Sequence, residues 1–233
     1  MKPAFYALRP GGWRDYVTLL HPPYTLWHLS YCALGAALAP TMRWTLLGWT
    51  ALAFFLALGV AAHALDELKG RPLRTRIPAR VLLALAALSL AGACAIGIVV
   101  AAQRTWWLLA FVAAGAFLVV AYDLELLGFH TGFWFAAAWG AFPALTAYFA
   151  SAETIRVEAV AVAAFAFATS WVQRTLSTPV RAVRRRPPEE VSDAERAIAP
   201  HSEQALMTLA AAHVLLAAAV LLARAAPTMT PWR

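Results

Sequence analysis

The sequence predicts an all-α polytopic membrane bundle, one integral domain (residues 1–233) of about seven transmembrane spans. Three observations carry that expectation. Of 233 residues, 62% are hydrophobic and only 13% charged, against roughly 45–50% and 25% in soluble proteins. That much apolar surface cannot be hidden in one core of this size. The apolar residues also fall into runs of about 20, the length a helix needs to cross a bilayer. Finally, the basic residues gather on one side of those runs. The same balance excludes a disordered chain and a small disulfide scaffold. Cys32 and Cys94 lie inside apolar runs and read as packing residues.

The elements follow in chain order. The first twenty residues lack an apolar stretch followed by a small-residue cleavage site, so no signal peptide is expected. Residues 24–40 form the first span, with Trp27 and Tyr31 as interfacial anchors. His21 and His28 flank its start and read as interfacial residues. Spans over 44–66, 79–102 and 105–123 follow, and Gly35, Gly59, Gly92, Gly97 and Gly115 allow close helix approach. The span over 133–150 contains Pro143, which should bend it. A sixth span covers 157–175 and a last one 204–224. His213, alone in that last span, reads as a helix-packing donor. Between them, residues 176–203 are expected to form a basic cytoplasmic loop. There Pro187 and Pro188 break any helix, and Ser192 with Glu195 has the spacing of a capping box.

Charge sorts the loops. With the N-terminus inside, one side collects Lys2, Arg9 and Arg14, then Lys69, Arg71, Arg74, Arg76 and Arg80, then Arg174, Arg181, Arg184, Arg185, Arg186 and Arg196. The other side keeps only Arg43, Arg104, Arg156, Arg224 and Arg233. The positive-inside rule therefore predicts a multi-pass inner or plasma membrane protein with a cytoplasmic N-terminus and an external C-terminus. The net charge of +7 is then topology. No basic stripe interleaved with stacking aromatics suggests a nucleic-acid partner.

Ionisable groups at membrane depth point to function, and three clusters stand at the cytoplasmic ends of spans two, four and six. In the first, His63, Asp66 and Glu67 lie at i, i+3 and i+4, on one side of a helix. An imidazole with two carboxylates suits a divalent cation or an acid–base pair. Arg71 and Arg74 follow, as an anionic phosphate group would require. The bland alternative is a solvated helix end paired with its own lysines and arginines. The second cluster holds Tyr122, Asp123, Glu125 and His130. Asp123 and Glu125 are two residues apart, so at most one points into the bundle. The third holds Gln173, Arg174 and Arg181, with Arg184, Arg185 and Arg186 as membrane-surface anchors. Together they imply one inward-opening polar cavity under an apolar chamber, a shape for a substrate with a charged head and a lipid tail.

These residues give the chain a resemblance to the UbiA superfamily of intramembrane prenyltransferases. Asp66 matches the later acidic residue of the family's first motif, and Arg71, Pro72 and Leu73 match its Arg-Pro-Leu turn, with Thr75 and Ile77 continuing the pattern. The stretch HPPYTLWHLSYCALGAALA is similar to the family's first helix, and TGFWFAAAWGAFPALTAYF to the segment leading into its fifth. Ala62 and His63 replace the motif's Asn and first Asp, and Gly70 stands at another acidic position. The second acidic motif is replaced by Gln173, Arg174, Thr175, Leu176 and Ser177.

The resemblance implies a shortened transferase acting on a prenyl diphosphate or similar lipid, with Mg²⁺ held by Asp66, Glu67 and His63. His63 would tilt the preference toward a softer divalent metal. Arg71, Arg74, Arg174 and Arg181 would bind the phosphates. The alternative is a UbiA-like lipid-binding or scaffold subunit without catalysis, in a homo-oligomer or a larger membrane complex. A secondary transporter would need broken-helix pairs or an inverted repeat, and neither is visible.

Overall fold

The computed structural model of the chain describes residues 2–226, and every regular element in it is helical. A short amphipathic helix, α1 (Trp13–Leu19), precedes α2 (Pro22–Leu38). Then come α3 (Trp44–Leu68), α4 (Ala79–Gln103), α5 (Leu108–Asp123), α6 (Gly132–Ala152), α7 (Val157–Arg185) and α8 (Asp193–Ala225). Five of these, α3, α4, α6, α7 and α8, are long and apolar enough to cross a membrane. Arg233, assigned above to the outer side, lies outside the described residues.

Helix α2 is the hub. It packs against the second half of α6 and against α8, with α7 alongside. Trp27 and Tyr31, expected as interfacial anchors, are instead completely buried. The Trp27 indole donates to the Tyr31 hydroxyl at 2.5 Å, and that hydroxyl lies 2.7 Å from Thr169 Oγ1 on α7. The reason is lateral: both side chains point at α7 and α8 rather than along the helix axis toward water. Small residues set the spacing. A Cβ at Gly35 would collide with the backbone of Ala144, and one at Gly140 with the backbone of Ala166. These are backbone-to-backbone approaches that only glycine permits.

Two helices carry widened turns. Phe55–Ala62 within α3 and Ala136–Ala141 within α6 are π-helical. The second lies just before Pro143, whose missing N–H removes a helix hydrogen bond. A π turn also frees a carbonyl, and Trp139 O accepts from His28 Nδ1 at 2.8 Å.

The polar end of the bundle differs most from expectation. The segment 176–203 is not a long loop. Helix α7 runs through Pro179 to Arg185, and α8 begins at Asp193, leaving only residues 186–192 as a connection. Tertiary packing is the cause. The buried stripe of α7 continues past 175 through Ser177, Val180 and Val183, and Arg184 makes a bidentate ion pair with Glu203 on α8. The break falls at Pro187, and α8 opens on the capping box of Ser192 and Glu195.

Candidate functional site

The connection Lys69–Pro78, after α3, is built around Glu67. This carboxylate is fully buried. Its two oxygens accept from Leu73 N (2.9 Å), Thr75 N (2.8 Å) and Thr75 Oγ1 (2.8 Å). Arg71 reaches across the same turn and donates to Ile77 O at 2.6 Å. Asp15 of α1 accepts from Gly11 N (3.0 Å) and Arg76 N (2.9 Å), pinning the turn to the N-terminal segment. The Arg-Pro-Leu turn is therefore a clamped loop whose polar groups are spent on its own backbone.

This corrects the expected His63–Asp66–Glu67 metal triad. Successive helical residues diverge by about 100°, so Asp66 and Glu67 cannot both face the same narrow space. Asp66 and His63 turn into the bundle and Glu67 into the loop. Among the described residues no group of three or more His, Cys, Asp or Glu side chains is placed to hold a metal ion. The expected three-ligand protein site is therefore not formed by these side chains.

The bundle opens at this end into a cavity of about 580 Å³, within the range of small-molecule sites. The three predicted clusters meet in it. From the first come His63, Asp66, Arg71 and Arg74; from the second Tyr122, Asp123, Glu125 and His130; from the third Gln173, Arg174 and Arg181. Only Glu67 of the predicted residues is left out. Glu125, exposed at the rim, pairs with Lys69 at 2.7 Å, which lowers its pKa below the usual carboxylate range. Asp123 is buried and faces inward.

Hydrogen bonds fix the orientation of the imidazoles, because a carbonyl can only accept. His63 Nδ1 lies 3.1 Å from Gly59 O, so it carries the proton and Nε2 keeps the lone pair. His130 Nδ1 likewise donates to Tyr122 O at 3.1 Å, and its Nε2 accepts from Arg174 at 3.3 Å. The Arg174 guanidinium also lies over the Phe135 ring, 5.7 Å from its centre.

Sequence reasoning missed a further wall. His21 and His28, read as interfacial, both line the cavity. His21 stacks on His63 with ring centres 4.0 Å apart and shares a 2.7 Å hydrogen bond with the Tyr6 hydroxyl. Burial, and then the neighbouring His63, push its pKa well below that of an ordinary imidazole. Residues 3–6 close over this wall from the N-terminal side. The available signal was spacing, since residues seven apart on a helix lie nearly on one face. His213 behaves as foreseen: its Nδ1 bonds Leu209 O and its ring stacks on Trp27.

Four buried polar atoms around the cavity have no hydrogen-bond partner: His21 Nε2, Tyr122 Oη, Asp123 Oδ2 and Gln173 Oε1. Buried polar atoms are normally paired, so these four, all on residues that line the cavity, are polar groups the fold itself leaves unsatisfied. The deep side of the cavity ends at Trp139. The same side chain lines an apolar groove formed by α3, α4, α5 and α6, with Phe54, Leu58, Val119 and Phe142 among its walls. A polar space and an apolar one thus share one indole. No protein-family model, curated protein or solved structure matches this chain.

Proposed function

We propose that the chain is a membrane-embedded transferase acting on an amphipathic lipid with a phosphate or diphosphate head, of the prenyl phosphate kind. The observation that carries this reading is the junction at Trp139, where a basic, hydrogen-bonding cavity meets an apolar groove. The head would sit against Arg74, Arg174 and Arg181, and the tail would pass Trp139 into the groove. Guanidinium groups neutralise charge as it develops on a departing phosphate. His63 Nε2, with its lone pair free, is the group to accept a proton from an attacking acceptor. Asp66 and Asp123 would orient that acceptor. Mg²⁺ would supply charge neutralisation on the leaving group, but among the described residues no three protein donors are placed to hold it.

In this reading α2 and α5 complete seven spans. They are short for a bilayer, but α2 is surrounded by protein along most of its length, so neighbouring helices rather than lipid shield its backbone. The clamped Arg71–Leu73 turn after Asp66 and the segment 132–149 favour a UbiA-like relationship. Loop charges favour placing the cavity on the cytoplasmic side.

One observation favours a second reading, a lipid-binding subunit without catalysis: the acidic pattern has lost Glu67 to the loop. A single experiment separates the two. Purified protein in nanodiscs is given a radiolabelled prenyl diphosphate with a panel of phenolic, hydroxylated and amine acceptors, and release of diphosphate is followed. Turnover that falls at least about tenfold in Asp66→Ala and Arg174→Ala supports the transferase. Tight binding without release supports the subunit, and neither binding nor release overturns both.

A further inference from the structure

The inner face of α7 carries Arg174, Arg181 and Arg185 at spacings of seven and four, which places them in a row along one side of the helix. All three line the cavity, and none belongs to an ion pair among the described residues. Val180 and Val183, between them, are buried and hold the row in register against the bundle. Arg74, on the turn after α3, also lines the cavity, in a left-handed backbone conformation (φ 56°).

Charge around the cavity can be balanced group by group. Lys69 is matched by Glu125 and Arg184 by Glu203. Arg71 bonds carbonyls of the turn that also holds the buried Glu67 carboxylate, so the two offset one another. The remaining guanidiniums, those of Arg74, Arg174, Arg181 and Arg185, stand against two carboxylates, Asp66 and Asp123. A phosphate monoester brings about two negative charges, and a diphosphate ester brings one more. Either comes close to neutralising that excess unaided. A divalent cation would push the positive excess beyond what a diphosphate can offset.

We infer that this cavity binds its phosphorylated ligand directly through the arginine row, without a bridging divalent metal. This rests on the head-and-tail reading above and departs from the metal-bridged binding that the family resemblance implies. Physically, the row replaces a second acidic motif: where acidic side chains need a cation to approach a phosphate, guanidinium forks approach it themselves.

The test is equilibrium binding of farnesyl monophosphate and farnesyl diphosphate to the full chain in nanodiscs, in excess EDTA and again with Mg²⁺. Inorganic diphosphate as competitor distinguishes recognition of a lipid headgroup from recognition of free phosphate. The expected result is binding in EDTA within a few-fold of that in Mg²⁺, with inorganic diphosphate competing only weakly because it lacks the tail. Arg181→Gln weakens binding by about ten- to a hundredfold, the loss of one charge-assisted contact. Asp66→Asn decides between the models by sign. Without a metal, removing its charge tightens binding by about two- to fivefold; with a bridging metal it weakens binding. Binding that requires Mg²⁺ and is lost in Asp66→Asn overturns the inference and leaves the transferase reading intact. Competition by inorganic diphosphate as strong as by the lipid overturns the headgroup assignment. Failure of both lipids to bind under either condition overturns the reading of the cavity itself.

Discussion

Two neighbouring regions treat their charges in opposite ways. In the turn after α3, Glu67, Arg71 and Asp15 are all committed to backbone groups within or beside the loop. Asp66, the adjacent residue, opens into a cavity lined by Tyr122, Asp123 and Gln173, each of which has a buried polar atom without a partner. Residue type does not distinguish the two regions, since each has carboxylates and arginines at membrane depth. Satisfaction does: a charge whose hydrogen bonds are complete holds the fold, and one left incomplete is available to a ligand.

The comparison breaks most sharply at Glu67 and Asp123. Glu67→Ala leaves three buried donors unpaired and should destabilise the protein by about 3 kcal/mol or more. Glu67→Gln should cost less, because its oxygen can keep both Thr75 bonds and only Leu73 N would meet the amide nitrogen. Asp123→Asn should change stability by less than about 1 kcal/mol, since no bond is lost. Denaturation in mild detergent, followed by tryptophan fluorescence or proteolysis, reads both. If Asp123→Asn proved as damaging as Glu67→Ala, satisfaction would not separate the regions.

Next in size is Asp15. Asp15→Ala frees the turn from α1 and should cost about 1–2 kcal/mol, with faster proteolysis of residues 69–78. A comparable effect comes from acid. His21 is buried with a folded pKa well below 6.5, while the unfolded chain titrates near 6.5. Below that pH the unfolded state binds the extra proton, so stability is fully present above about pH 6.5 and is lost as pH falls, by at most about 1.4 kcal/mol per unit. The groups facing the ring are Tyr6, His63, His28 and Arg181. His21→Gln should flatten that part of the profile, and an unchanged slope would show that the wall is not closed to water. Smallest is the rim: Lys69→Ala removes an exposed pair with Glu125 and should leave the unfolding temperature where it was.

Much of this was readable from residues. Helix-length apolar runs located the long helices, and the Ser192–Glu195 box marked the start of α8. The three polar clusters, read from three helix ends, meet in one cavity. What escaped has a physical cause in each case. The side chains of Asp66 and Glu67 diverge because a helix turns by about 100° per residue, and which of them meets the loop depends on a backbone path that spacing does not encode. The continuation of α7 through Pro179 depends on packing against α8. His21 and His28 sit where sequence suggests an interface, and only the π turn of α6, by freeing Trp139 O, gives His28 a reason to face inward.

The length of α7 has one more consequence. At 29 residues and 1.5 Å per residue it is about 43 Å long, against a hydrocarbon layer of about 30 Å. The surplus is its arginine-bearing end. In a bilayer spanned by the rest of α7, that end would reach the depth of the lipid phosphates. Under the proposed function, a lipid bound there would keep its head level with its neighbours' heads and its tail among their tails. Recognition becomes a sideways step within the leaflet, with no need to lift the lipid into water.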